Sequence, residues 1–347
     1  MKHNIIYERK KHASVRTTDF VFNQLIPYIG NKRKLLDLIQ EALRCTGEVK
    51  GKTFVDLFAG SGVVARLAKT LGYRVIANDW EPYTLPMNTT YSIKRVIRAI
   101  RVVFLRDSIR GGGGQTQTAL YRITGDLTLS RAVFFDNGQE NEVLCQDAQR
   151  VAEELQEELD VVYLDPPYNQ HPYGSNYHVL NSVALWDKPT LTKQITRHGD
   201  KSAIRTDWRT ERRSAYNYRD EAAQAYRKLI TTLNARYILT SYSTDGMIPL
   251  RDMLRTNAER GHVHIEMKGY KRYRVSSQRF SHKPMNVELV IVLDTQKSRS
   301  MNVDELLAEI TSTEQHVLTN HRETTDERQL IVPFASARRE CGATTAV

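Results

Sequence analysis

The sequence predicts an α/β fold built on an open, mostly parallel sheet. Three observations carry this. Short β-rich runs at residues 53–58, Arg74–Asn78 and 160–164 each hold an acid within or just past them: Asp56, Asp79 and Asp165. Segments with helical spacing of apolar residues separate these runs. A glycine break, Gly60-Ser61-Gly62, joins the first run to its helix. Strand, glycine turn, helix, strand, acid is the opening of a nucleotide-binding parallel sheet.

Composition agrees and narrows the class. The chain has 347 residues, with 50 Lys+Arg against 40 Asp+Glu, a net +10. Hydrophobic residues make up 40% and charged residues 26%, a globular balance. Cys45, Cys145 and Cys341 are odd in number, far apart and without a CxxC pair. Neither a disulfide framework nor a zinc ribbon fits. No run of about 18 apolar residues offers a membrane span. Residues 1–11 are polar and basic without an apolar stretch, unlike a secretory signal. A cytoplasmic, reducing compartment is expected. The positive balance permits a polyanionic partner without requiring one.

The elements follow in order. Residues 1–24 read as a polar arm. Leu35, Leu36, Leu38, Ile39, Ala42 and Leu43 give an amphipathic helix over 35–43. The spacing predicts a helix over Val63–Leu71 with Gly72 as its stop. Residues 86–139 read as an insertion, with a basic helix over 93–106 and a glycine break at 111–114. Residues 131–135 and 142–145 around Asn137-Gly138 read as a hairpin. A helix over 151–159 precedes the strand at 160–164. Residues 170–220 are polar, aromatic and basic. Helix 221–233, strand 237–240, helix 247–254 and closing strands 262–266 and 287–293 complete a domain of residues 25–85 and 140–295. Residues 296–347 form a polar tail with a helical stretch over 303–310. No internal repeat is present.

Asp165-Pro166-Pro167-Tyr168 closes an apolar strand. Two prolines cannot continue a ladder, so they fix a rigid turn at the carboxyl edge, where open α/β sheets bind ligands. The Asp165 carboxylate and the Pro166 carbonyl can both accept from an exocyclic amine, and Tyr168 can stack on its ring. The plainer reading is an Asp-Pro loop cap. Asp56 to Gly62 is a strand followed by a glycine turn that lets a ligand approach a helix N-terminus. It lacks the pattern of a Walker loop. Asp79 is placed to accept from ribose hydroxyls, or else to cap a helix. Tyr28 to Lys32 holds a Gly30-Asn31 turn beside a lysine, which suits an anchored carboxylate or phosphate, or simply a solvated helix start. Cys145 lacks a preceding proline and reads as a small packed residue. The histidines show no metal spacing, so no metal site is predicted.

These motifs, in this order, resemble the alpha-group DNA adenine-N6 methyltransferases of restriction-modification type. The likeness extends through Asn176-Tyr177-His178 and later segments, covering about residues 26–293. It implies a Rossmann-like methyltransferase sheet, mostly parallel with an antiparallel closing strand and inserted target-recognition segments. It implies S-adenosylmethionine as cofactor, with Tyr28 and Lys32 bounding its methionine end. Asp56, Phe58, Gly60 and Gly62 would line it, Asp79 would hold the ribose and Asp147 the adenine amine. Asp165, Pro166, Pro167 and Tyr168 would hold a target adenine flipped out of double-stranded DNA. The DNA grip is expected in residues 170–220, from Arg205, Arg209, Arg212 and Arg213, and in Lys271 and Arg272. A solvated basic loop is the plainer reading of those residues. Cytosine N4, RNA adenine, a silent DNA-binding protein of this fold and, more weakly, a nicotinamide enzyme stay open. So do a cognate restriction endonuclease and the oligomeric state.

Overall fold

The computed structural model describes residues 21, 30–85, 135–170, 172–190, 207–271, 285–298 and 302–330. Seven strands form one sheet in the order β3-β2-β1-β4-β5-β7-β6. The strands are β1 (Thr53–Asp56), β2 (Arg74–Asn78), β3 (Glu142–Leu144), β4 (Leu159–Leu164), β5 (Ala235–Ser243), β6 (His262–Lys271) and β7 (Met285–Asp294). The first five are parallel, and β7 lies antiparallel between β5 and β6. This is the predicted mostly parallel sheet with an antiparallel strand at its closing end.

The apolar patterning sets the layers. β1 and β4 are almost wholly buried, because helices cover both faces of the sheet. On one face Phe54, Tyr163, Val290 and Val292 pack under α1 (Leu36–Arg44) and α2 (Val63–Leu71). On the other, Val55, Val162, Leu164 and Ile291 pack under α3 (Ala148–Glu154), α6 (Arg219–Thr232), α7 (Leu250–Ala258) and α8 (Val303–Leu330). Two short helices, α4 (Tyr173–Asn176) and α5 (His178–Leu185), follow β4. Helix α2 has the predicted limits, and Gly72 ends it at φ +103°, a conformation natural to glycine.

Two helix limits change, and β3, read as the second arm of a hairpin, pairs parallel with β2. Asn137-Gly138 still makes a tight turn, with Asp136 Oδ1 accepting from the Gly138 amide. Asn137 Nδ2 then donates to Tyr73 and Lys69 carbonyls, which aims the chain at the edge of β2. Residues 131–134 lie outside the described residues, as do the basic stretch at 93–106 and the glycines at 111–114. Helix α3 begins at Ala148, because Asp147 caps it by accepting from the Gln149 and Arg150 amides. The helical stretch predicted at 303–310 runs to Leu330, and its Leu306 and Ile310 join the core.

Candidate active site

The chain runs from β1 through β2 to β3 on one side, then returns to β4 on the other side of β1. The strand order therefore reverses between β1 and β4, where open α/β sheets leave a crevice at their carboxyl ends. A cavity open at its mouth occupies that place. Every parallel strand that feeds it delivers an acid. Asp56 ends β1, Asp79 follows β2, Asp147 follows β3 and Asp165 follows β4, and all four line the cavity.

Local bonding explains their placement. Gly60 and Gly62 sit at φ +50° and +70°, where a side chain would be strained. The Gly60 amide donates to Asp79 Oδ2 at 2.7 Å, and the Glu81 amide donates to Oδ1 at 2.9 Å. Gly62 caps α2 and does not line the cavity, whereas Phe58 and Gly60 do. Asn78, fully buried, ties three strand ends together. Its Nδ2 donates to the Leu57 and Gln146 carbonyls, and its Oδ1 accepts from the Gln146 amide. Sequence reasoning missed Asn78. A polar residue closing an apolar run just before a candidate acid was its available signal.

The transfer edge is built around Lys32. Asn31 Oδ1 accepts from the Arg33 amide and starts a 3-10 turn that buries Lys32. The Lys32 ammonium lies 3.0 Å from Asp165 Oδ1 and 5.4 Å from the centre of the Tyr168 ring. Lys32 was expected at the methionine end of a cofactor; in the structure it pairs with Asp165, the acid expected to hold the target amine. Pro167 lines the cavity; Pro166 and Tyr168 are not among its lining residues, and Tyr168 lies edge-on to Tyr242. Tyr28 lies outside the described residues.

Burial dominates the electrostatics. It raises Asp165 despite Lys32, raises Asp56 well above the usual carboxylate range and lifts Asp79 to about 6. Glu81 rises to about 7, again mainly through burial, although Asn181 Nδ2 donates to it at 2.5 Å. Asp56 keeps one carboxyl oxygen buried without a hydrogen-bond partner.

The basic residues divide. Arg212, read as part of a DNA grip, lines the cavity beside Glu81, and its buried Nη1 has no hydrogen-bond partner. Ser214, Tyr216 and Asn217 line the same wall, and Tyr216 packs edge-on against Phe58. Arg213 is exposed, paired with Glu221 and laid over the Tyr218 ring. Arg209 is also exposed. Arg205 and Arg272, and the side chain of Lys271, lie outside the described residues. Away from the cavity, ligand atoms of Cys45, His264 and Glu266 lie within 4.8 Å of one another, a grouping their sequence separation hid. His264 and Glu266 are already a close pair at 2.7 Å. Cys145 is half-buried beside the Trp80 carbonyl, consistent with a packing role.

The arrangement can hold a nucleoside with a cationic substituent. A ribose would meet a pre-oriented carboxylate, and positive charge would meet an acid-rich wall. The donor set thus fits the expected cofactor.

A family model described as D12 class N6 adenine-specific DNA methyltransferase matches residues 28–110 and 106–232. The chain is 34% identical over 155 residues to modification methylase StsI of Streptococcus sanguinis, covering 44% of this chain and 22% of that one. It is 26% identical over 320 residues to type II methyltransferase M.NlaIII of Neisseria lactamica, covering 71% and 92%. M.CviAII of Paramecium bursaria Chlorella virus 1 is 24% identical over 314 residues, covering 72% and 93%. The aligned stretch is therefore about a fifth of the first relative and nearly all of the other two.

Proposed function

The chain belongs to the D12 class of N6 adenine-specific DNA methyltransferases, and on that premise we propose how its cavity works. The reading is transfer of a methyl group from S-adenosylmethionine to N6 of an adenine flipped out of a specific double-stranded DNA site. The observation that carries it is the convergence of Asp79, Asp147 and Asp165 on one cavity at the strand-order reversal.

S-adenosylmethionine supplies an electrophilic methyl group on a sulfonium sulfur. Gly60 and Gly62 shape the turn along which it would lie. Asp79, held by two backbone amides, would receive the ribose hydroxyls. Asp147 uses one oxygen to cap α3, and its other oxygen would accept from the adenine amine. At the transfer edge, Asp165 and the Pro166 carbonyl accept both N–H bonds of the target amine. That draws electron density onto N6 and stabilises the charge that develops as N6 becomes tetrahedral. No strong base is needed before attack, since the proton becomes acidic only afterwards, with Asp165 as its first acceptor. Tyr168 compensates the stacking the base loses on leaving the duplex.

Exposed Arg209 and Arg213 stand outside the acidic cavity, where phosphate contacts belong. No helix among the described residues is long and apolar enough to cross a membrane. A DNA substrate makes the cytoplasm the natural site of action, and a cognate endonuclease would complete a restriction-modification pair. The test is a nucleoside digest, read by mass, of DNA methylated by the purified chain. N6-methyladenine is expected; N4-methylcytosine would replace the substrate, and no methylated base would sink the reading.

A further inference from the structure

One buried acid has no part in this scheme. Glu288 interrupts the apolar run of β7 and is only 7% exposed. Its Oε1 accepts from Asn286 Nδ2 at 3.2 Å, but its Oε2 is buried without a hydrogen-bond partner. An orphaned buried acceptor costs about 1–3 kcal/mol, so its presence here calls for a use in another state of the enzyme.

Its surroundings indicate which use. Strand register places Glu288 opposite Ser243 on β5 and Lys268 on β6. Alternation along β7 sets it on the same face as Val290 and Val292, under the segment that carries Lys32. Lys32, Asp165, Tyr163 and Tyr168 all act on it or feel its charge. Lys268 is already paired with Asp37. Lys32 is therefore bonded to Asp165 and lies within the electrostatic reach of a second buried carboxylate, Glu288.

Resting on the assignment of Asp165 as the amine acceptor, we propose that Glu288 is a positioning residue, the reserve counter-ion that Lys32 turns to when the target amine claims Asp165. Capture of the amine requires Asp165 to give up part of its bond to Lys32. A buried ammonium left unpaired is strongly unfavourable. Glu288 Oε2 offers it a buried acceptor that has no hydrogen-bond partner, and no proton has to move. In the free enzyme burial holds the Glu288 carboxyl above the usual range even with Lys32 nearby, so its charge is a burden there.

The test compares Glu288→Gln and Glu288→Asp with the wild type. Three readouts are used: calorimetric S-adenosylmethionine binding, urea unfolding at pH 8, and single-turnover methylation of unmethylated genomic DNA. Glu288→Gln is expected to bind the cofactor within about 2-fold of wild type and to unfold at the same or higher urea. It should methylate about 10- to 100-fold more slowly, the range of a modest loss of preorganised charge. The acid limb of its rate profile should carry one ionisation where the wild type carries two, and Glu288→Asp should recover most of the rate. In a Lys32→Gln background, Glu288→Gln should cost less than about 2-fold, because the cation it serves is gone. A wild-type rate in Glu288→Gln overturns the proposal. So does the same loss in both backgrounds, or a loss that simply tracks lowered stability. If the wild type itself forms no N6-methyladenine, the underlying assignment fails instead, so the two failures are distinguishable.

Discussion

The Lys32 ammonium and the Asp165 carboxylate meet at 3.0 Å, which binds the turn before α1 to the carboxyl end of β4. The acid proposed to bind the target amine is thus held in place before any substrate arrives. Preorganisation of this kind is where enzymes gain most of their electrostatic advantage.

Asp165→Ala is expected to lower methyl transfer by at least about 1000-fold while S-adenosylmethionine binds within about 3-fold of wild type, since Asp165 acts on the amine and not on the cofactor's nucleoside. Tritium transfer to DNA and calorimetry measure the two effects separately. A variant that methylates at the wild-type rate removes Asp165 from the chemistry.

Lys32→Ala strips the cation from a buried pair and leaves Asp165 and Glu288 facing each other's charge. Removing one partner of such a pair costs about 3–5 kcal/mol. The sign with pH follows from the carboxyls left behind. Both are already raised by burial, and without Lys32 they rise further. They take protons more readily folded than unfolded, so the defect should shrink as pH falls from 8 to 5. Urea midpoints at the two pH values check this; an equal defect at both would show that the pair is not the cause.

Asp79 and Glu81 give a second pH effect in the wild type. Burial lifts them to about 6 and about 7, above their values in an unfolded chain. Between the usual carboxylate range and pH 7 the folded protein holds more protons than the unfolded one. Stability from these groups is therefore present at low pH and lost as pH rises through 6 to 7. Asp79→Asn with Glu81→Gln should flatten that slope in cofactor-free protein, read from urea midpoints between pH 4.5 and 7.5. A slope unchanged by the double substitution would assign it to other groups.

Much of this site was legible in the sequence, for a physical reason. A strand that ends on an acid must present it at the sheet edge, so Asp79 and Asp165 follow from local patterning alone. The glycine turn at Gly60 and Gly62 is equally local. The partners of those acids were not legible, because they arrive through tertiary packing. Glu288 stood in plain view as one acid inside the apolar run of β7, yet alternation alone does not say what it faces. Arg212 sat among arginines that all read as outward-facing until Tyr216 packed on Phe58 and drew the segment inward. The parallel pairing of β3 with β2 was not legible either, because an Asn-Gly turn specifies a reversal but not the strand that the chain joins afterwards.

Gly30→Ala tests the turn that delivers Lys32. Gly30 has φ +75°, and a Cβ there would lie 2.5 Å from the Tyr173 hydroxyl oxygen. Tyr173 lines the cavity and stacks on Tyr177, so it cannot yield freely. Backbone strain of about 1 kcal/mol adds to the clash. Cofactor binding should weaken about 10-fold with transfer reduced at least as much. Calorimetry with no shift in Kd would mean that this turn does not shape the cavity.

Arg212 and Arg209 belong to one basic stretch, yet their surroundings predict opposite phenotypes. Arg212 reaches the cavity wall with a buried, unsatisfied nitrogen, whereas Arg209 is exposed outside it. A cofactor oxygen or ring nitrogen that satisfies Arg212 should contribute about 1–2 kcal/mol, so Arg212→Ala should weaken S-adenosylmethionine binding about 5- to 30-fold. It should leave the salt dependence of DNA binding unchanged. Arg209→Ala should do the reverse, with cofactor affinity intact and the salt slope of DNA binding shallower by about one phosphate contact. Lys at 212 should not restore full affinity, because a point charge lacks the planar reach of a guanidinium. Paired titrations of cofactor and DNA across a salt series separate the cases. If Arg212→Ala changes only the salt slope, its sequence-based assignment to the DNA grip stands and its place in the cavity wall is incidental.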